Sequence, residues 1–292
     1  MYWIVTDMTC DLPASYVHEQ NHFHVVPMSY TMDGESHIPD GTEANSHEIY
    51  ESLRAGKMMT TAQVNAQGWK DALLPIVEAG DDVLVIAFSS ALSGTCAAAF
   101  QAVDSLRKKF PDRELRAVDS LAASMGEGLL VDYALKNRAD GMSLYDNAAW
   151  IEQHRMNILH WFTVDDLMFL RRGGRVSAGS AYLGTVLKIK PILDVSPEGK
   201  LIPREKVQGR KRSIRHLCEH VEKQILRPTA DQKIFISHGD CREEAELLAD
   251  MLKEKLGVKD ILIGTIGPIV GCHSGPGTIA VFYYGTGRED RQ

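Results

Sequence analysis

The chain lacks most of the features that would assign a chemistry at once. Its 292 residues include five cysteines, Cys10, Cys96, Cys218, Cys241 and Cys272. The number is odd, the positions are scattered and no Cys-x-x-Cys pair occurs. This argues against a disulfide framework and against a thiolate zinc site, and leaves reduced, mostly buried thiols as the expectation. Positive charge is also short: 32 Lys and Arg against 39 Asp and Glu leave a net charge of −7. With no basic stripe interleaved with aromatics, nucleic acid is not expected as a partner. No run approaches the roughly 18 apolar residues that a membrane span needs. Met1-Tyr2-Trp3-Ile4-Val5-Thr6-Asp7 reaches an acid at once, without the charged and then apolar segments of a secretory leader. No stable membrane insertion and a cytoplasmic location are therefore expected. No G-x-x-x-x-G-K-[ST] loop is found, which disfavours a kinase or ATPase of the P-loop type.

What is present is an ordinary globular composition, 44% hydrophobic and 24% charged, long enough for one large or two ordinary domains. In the first half, short apolar runs at Trp3–Thr6, His24–Ser29, Val83–Phe88 and Leu115–Val118 alternate with amphipathic stretches near Pro13–Glu19, His47–Ala55, Ala66–Glu78, Thr95–Lys109 and Ala122–Arg138. That alternation predicts a mostly parallel sheet flanked by helices. Asn45-Ser46 can cap the second helix, and Pro111 ends the fourth. From about Ile158 the texture changes. Strands are expected at Ile158–Val164, Pro191–Val195, Lys200–Arg204, Ile234–Ser237, Ile261–Thr265 and Ile279–Tyr284, with helices near Ala181–Lys188, Lys211–Leu226 and Glu243–Leu256. Leu193 to Ile202 reads as a hairpin, so antiparallel pairing enters there. The fold class is α/β in two domains, residues 1–157 around the mostly parallel sheet and residues 158–292 a smaller mixed or antiparallel α/β domain.

Several short motifs fail on inspection. His18-Glu19-Gln20-Asn21-His22 matches H-E-x-x-H in form, but its polar centre looks like the end of a short helix, and no metal site is expected. Gly126-Glu127-Gly128 lacks the third glycine of a dinucleotide loop and reads as close helix packing.

The stretch Phe88-Ser89-Ser90-Ala91-Leu92-Ser93-Gly94-Thr95 is more informative, because it carries hydroxyls from a buried strand straight into a small-residue helix. Ala91 breaks the G-x-S-x-G elbow, so Ser93 does not read as a hydrolase nucleophile. Two readings stay open: Ser93 caps its own helix, or the helix N-terminus with Ser93 and Thr95 binds a carboxylate or phosphate. Further loops offer similar chemistry. Met59 to Asn65 is a second hydroxyl-rich loop before a helix, Arg171-Arg172-Gly173-Gly174-Arg175 is cationic, and His273 lies in a glycine-rich loop from Gly271 to Gly277.

Together these segments resemble the DegV family, which includes the fatty-acid-binding subunits of bacterial fatty acid kinase. The resemblance runs in order through Val5-Thr6-Asp7 with Asp11-Leu12-Pro13, Thr61-Ala62-Gln63, Ser89 to Thr95, Asp119-Ser120 and Gly126-Glu127-Gly128. It continues through Gly173-Gly174-Arg175, Lys190-Pro191-Ile192-Leu193, Lys206-Val207-Gln208-Gly209-Arg210 and His273-Ser274-Gly275-Pro276-Gly277, covering about residues 2–285.

It implies two α/β domains clasping a long-chain fatty acid such as palmitate, with no other cofactor. The carboxylate would be bound by Thr61, Ser93, the Gly94 amide, His273 and Arg172, or Arg171 if the register slips by one. It implies no covalent chemistry by the chain itself, but a lipid-binding protein of fatty acid metabolism or lipid transport. A separate kinase subunit would phosphorylate the carboxylate, and an acyltransferase would receive the product. Met8, Ala62 and Val64 depart from the family pattern and are expected to reshape the pocket mouth, while Gln208 replaces a usual arginine. Burying a chain of about 16 carbons at roughly 0.8 kcal/mol per methylene gives a gross term near 12 kcal/mol before ordering costs. Charge-assisted hydrogen bonds add roughly 1.5–3 kcal/mol each, so the tail supplies most of the affinity and the head the orientation. The competing reading is a serine-dependent acyl hydrolase or transferase using Ser93 with His273 as base.

Overall fold

Two sheets, a helix enclosed between them and helices on both outer faces make five layers. The computed structural model describes residues 1–177 and 189–288, so the helix expected at Ala181–Lys188 lies outside the described residues. The first sheet is parallel, in the order β2 (Phe23–Val26), β1 (Tyr2–Asp7), β6 (Asp82–Ala87), β7 (Leu115–Asp119). Its strand β6 is covered on both faces, which is why Val83 to Ala87 is an unbroken apolar run. Along it Leu84 and Ile86 face one way and Val83 and Val85 the other, as the two-residue period of a strand requires. The outward set packs on Trp69 and Leu73 of α3 (Ala66–Glu78) and on Ala99 and Val103 of α4 (Thr95–Lys109).

The second sheet runs β10 (Leu201–Gln208), β9 (Ile189–Val195), β8 (Ile158–Thr163), β13 (Ile279–Tyr284), β11 (Lys233–His238), β12 (Asp260–Thr265). It is mixed: its neighbours are antiparallel except for the edge pair β11 and β12. The expected hairpin joins β9 to β10, with Gly199 supplying a φ of +79° in its turn. Val281 and Tyr283 share a core with α8 (Arg210–Gln224) and α9 (Arg242–Leu256), while Ala280 and Phe282 point inward.

Inward from both sheets lies α5 (Met125–Ala139). Leu129, Leu130, Val131, Ala134 and Leu135 are all buried, and a helix apolar on every side is one enclosed by its neighbours. One continuous core therefore joins Ile4 and Leu84 of the first sheet to Phe162, Leu193 and Phe282 of the second. Glycines permit this closeness: a Cβ on Gly126 would collide with the His160 ring on β8, and one on Gly128 would lie 2.7 Å from the Cys10 carbonyl oxygen. This is the packing role expected of the Gly126-x-Gly128 pair.

The structure also departs from the pattern read in the sequence. A small antiparallel sheet, β4 (Glu35–His37), β3 (Tyr30–Met32) and β5 (Met59–Thr61), was not expected, nor was α6 (Leu144–His154). The second helix, α2 (Glu43–Arg54), is capped by Thr42, which accepts from the Asn45 amide at 3.1 Å, and not by Asn45-Ser46. Strand β2 stops at Val26, ahead of Pro27, which has no N–H to give a ladder. Helix α1 (Ala14–His18) ends at His18, and His22 sits beyond it at φ +50°, so the two histidines share no helix face. All five cysteines are free; Cys241 is half-buried and the other four are buried. Among the described residues no helix is long and apolar enough to cross a membrane.

Candidate ligand-binding site

In an open parallel sheet, ligands collect beyond the carboxyl ends of the strands where the chain order reverses. Here that point falls between β1 and β6, which lie side by side although four strands separate them in sequence. A cavity of about 370 Å³ opens there, lined by Thr9 after β1 and by Phe88, Leu92, Ser93 and Gly94 after β6. Its opposite wall comes from the second half of the chain. His160 and Phe162 of β8 and Ala280 and Phe282 of β13 line it, with Val195 and Leu201 from the hairpin strands. The remaining side is α10 (Pro268–Ser274), which contributes Ile269, Val270, His273 and Ser274.

Polar groups from several elements line the cavity as well. Thr61, the last residue of β5, places Oγ1 2.9 Å from His273 Nε2. His273 Nδ1 is pressed against Gly173, where a Cβ would collide with it. Burial, with a smaller contribution from the Arg175 charge, pulls the His273 pKa down to about 4. The imidazole is therefore neutral near pH 7. With its proton on Nε2 it donates to Thr61 Oγ1, which leaves the threonine proton free for a ligand acceptor.

Ser93 precedes the N-cap of α4, which is Gly94. Its Oγ accepts from the Thr95 amide at 3.2 Å and lies 3.0 Å from Thr95 Oγ1. Ser93 is thus not the N-cap that one reading made it, since α4 has no side-chain cap at Gly94; its oxygen accepts from the first helical amide and the residue lines the cavity. Gly94 also lines the cavity, and among the described residues its amide has no protein acceptor. The Gln63 side chain lies over Gly94 so closely that a Cβ there would collide with the amide group.

The arginine differs from the expected one. Arg172 is exposed, sits over the Phe169 ring with its Cζ 4.5 Å from the centroid, and does not line the cavity. Arg171 is exposed as well and also lies off the wall. Arg175, at the end of the same Gly-Gly-Arg element, does line it. The reason is local: α7 (Met168–Arg172) points its last residues toward solvent, and the Gly173-Gly174 turn, with Gly174 at φ +71°, brings the chain back so that Arg175 faces inward. Arg172 instead lines an adjoining recess of about 300 Å³ together with Lys57 and Met58. Thr61, Arg175 and His273 line both spaces.

His273 is likewise not in a loop; it occupies the last turn of α10, whose start was signalled by Gly267-Pro268, with proline at the first helical position. Gln63 and Arg175 are among the wall residues that sequence reasoning did not name as ligands. Both flank residues singled out for their hydroxyl or charge. Met8, Ala62 and Val64 do not line the cavity, so any effect of these departures on its mouth is indirect. Gln208 is exposed at the end of β10.

No hydrogen bond joins Ser93 to His273 among the described residues, and the imidazole edge that faces a hydroxyl faces Thr61. A base with a pKa near 4 is also a poor activator of a serine at neutral pH. Among the described residues the metal-binding donors that cluster, His47, Glu51 and Asp240, lie away from the cavity, and Arg54 already pairs with both carboxylates.

The model of the DegV family matches residues 2–286. A DegV domain-containing protein of Clostridium perfringens is 42% identical over 287 residues, 98% of this chain and 98% of that one. The structure of a fatty-acid-binding DegV family protein from Thermus thermophilus has a TM-score of 0.85 at 28% identity, covering 97% of this chain and 99% of that chain. The B3 protein of the Streptococcus pneumoniae fatty acid kinase, loaded with linoleic acid, has a TM-score of 0.84 at 20% identity, covering 97% and 99%; at that identity the likeness is one of fold. On the extent of both the family match and the Clostridium alignment, the chain belongs to the DegV family.

Proposed function

We propose that this chain binds a long-chain fatty acid in the cavity between its two sheets and holds the carboxylate at Thr61, Ser93, Gly94 and Arg175, with His273 orienting the Thr61 hydroxyl. The observation that carries this reading is the make-up of one cavity's lining, largely apolar with Phe88, Leu92, Phe162, Leu201 and Phe282, and including hydroxyls, an arginine and the Gly94 amide, which is unpaired among the described residues. A ligand with one anionic end and an alkyl body fits such a division, since apolar area supplies affinity and a few placed polar groups supply orientation. Arg172 belongs to the neighbouring recess in this proposal and does not touch the carboxylate.

The proposal extends to presentation. The recess that shares Thr61, Arg175 and His273 with the cavity is bordered by the exposed Arg172, Lys57 and Met58, so the carboxylate end is the end reached from the surface. A separate kinase subunit phosphorylates the carboxylate there, and the acyl phosphate passes to an acyltransferase in the cytoplasm. The chain itself forms no covalent intermediate.

Two measurements test this. Delipidated protein titrated with palmitate should bind one molecule per chain; absence of binding would sink the proposal. Incubation with a fluorophosphonate should leave Ser93 unlabelled, and stoichiometric labelling would favour the acyl hydrolase instead.

A further inference from the structure

The strand register places one histidine of the cavity wall far from the groups that would hold a carboxylate. Thr61 meets His273, a Cβ on Gly173 would meet the same imidazole, and Gln63, two residues beyond Thr61, lies on Gly94. These contacts tie the proposed carboxylate residues to α10. Thr278, just before β13, donates to the Ser274 carbonyl, so the end of the β13 and β8 ladder formed by Ile279 and Thr163 adjoins α10. Side chains on one face of a strand recur every second residue, roughly 7 Å apart. Stepping away from α10, the inward pairs are Ala280 with Phe162, Phe282 with His160, and Tyr284 with Ile158. The first two pairs line the cavity and the third does not: Tyr284 packs on Tyr133 of α5, with ring centroids 5.8 Å apart. Along this ladder the cavity therefore stops at His160. Beyond it, His160 and Val195 border a second space of about 10 Å³ that Arg288 also lines, room for no more than about one water.

The imidazole is fastened on several sides. The Ala123 amide donates to Nε2 at 3.3 Å, which puts the ring proton on Nδ1, where it donates to the Ile158 carbonyl at 3.0 Å. Phe282 packs edge-on against the ring at 5.1 Å between centroids, and α5 approaches so closely that a Cβ on Gly126 would collide with it. Burial, with a smaller contribution from the Arg288 charge, holds the pKa well below the usual histidine range, so the ring is neutral. With both nitrogens satisfied by backbone, His160 has only van der Waals contact to offer an alkyl chain. A ring held in this way cannot turn aside as a free aliphatic side chain would.

We infer that His160 is a specificity-determining residue, whose imidazole closes the tail end of the cavity and so sets the length of fatty acid that fits. The inference rests on the fatty-acid reading above and adds to it the residue against which the terminal methyl group stops. A chain too short leaves part of the cavity unfilled. A chain too long can enter fully only by drawing its carboxylate away from Thr61 and Gly94.

The test titrates delipidated protein with the even-numbered saturated acids from laurate to arachidate, read by displacement of a fluorescent fatty acid. In wild type, affinity should rise about fourfold per added methylene until the chain reaches the wall, and then drop about tenfold or more at the next acid in the series. His160→Ala should move that drop to a longer acid by at least one member of the series. His160→Asn, which shortens the side chain but keeps a donor and an acceptor for the Ile158 carbonyl and the Ala123 amide, should do the same. A purely structural role for the histidine would lower affinity for every acid without moving the drop. A drop at the same acid in the folded variants as in wild type would overturn the inference, as would an affinity that keeps rising through arachidate in wild type; either result leaves the fatty-acid reading standing. If wild type binds none of the acids, the inference falls together with the reading beneath it.

Discussion

Replacing Ser93 by alanine separates two roles that share one oxygen. Ser93 Oγ accepts from the Thr95 amide at the start of α4 at 3.2 Å, and its hydroxyl borders the cavity. Losing the first interaction is the loss of a helix-end hydrogen bond, worth about 1 kcal/mol. For a chain of this size that corresponds to a melting temperature lower by about 2–4 °C. The second interaction is a hydrogen bond to a charged group, worth roughly 1.5–3 kcal/mol, so palmitate Kd should rise by a factor of about 10 to 150. Scanning calorimetry of delipidated protein reads the first effect and titration calorimetry with palmitate reads the second. A lowered melting temperature with unchanged Kd would leave Ser93 only its bond to the Thr95 amide and refute its assignment to the carboxylate. Weakened binding at an unchanged melting temperature would show that the bond from the Thr95 amide contributes nothing to stability.

The remaining predictions rest on other parts of the structure. Arg175→Ala should weaken palmitate binding at least tenfold while Arg172→Ala leaves it within about twofold, as read by the same titration; the reverse order would return Arg172 to the head group. Thr61→Ala should weaken binding with little change in ligand-free melting, because Thr61 closes a three-residue edge strand and serves no helix end. Gly126→Ala should destabilise the protein by about 1–3 kcal/mol in urea unfolding, since the new methyl group meets the His160 ring between the layers; an unchanged midpoint would show that the packing is loose there. Burial raises the Asp11 pKa to about 8, with Asp7 and Glu127 raised in the same direction. In such acids the folded state holds a proton that the unfolded state has lost. For Asp11 stability therefore falls as pH rises from about 4 to 8, by up to about 1.4 kcal/mol per unit, and Asp7 and Glu127 act in the same direction. Asp11→Asn should flatten the part of that fall between pH 6 and 8, and equal slopes in urea unfolding at pH 6, 7 and 8 would contradict the assignment.

The core strands were legible because burial writes itself into composition: Val83 to Ala87 could only be a strand covered twice, and Ile279 to Tyr284 likewise. Short elements were not legible. Three-residue strands such as β5 are too brief to show alternation, and α10 is a seven-residue helix read as a loop because the three glycines in Gly271 to Gly277 dominate its end. In the site, Thr61, Ser93, Gly94 and His273 were identifiable because their residue types and motif order match a family pattern, and the structure puts all four on one cavity. Arg175 was displaced by Arg172 in that reading because a Gly-Gly turn reverses the chain between them, and the direction of a reversal is not encoded in residue spacing. The enclosed position of α5 was equally out of reach: its all-round apolarity shows that it is buried but not what covers it. We propose to keep residue 157 as the division between two chain segments, the first holding the parallel and the small antiparallel sheet and the second the mixed sheet, whose hydrophobic core is nonetheless shared through α5.

The central claim is that the cavity holds a fatty acid. Mass spectrometry of the lipid extracted from purified, undelipidated protein tests it most directly. The structure and the family relation predict a long-chain fatty acid at close to one molecule per chain. Recovery of no acyl chain, combined with no binding when palmitate is added, would contradict the account.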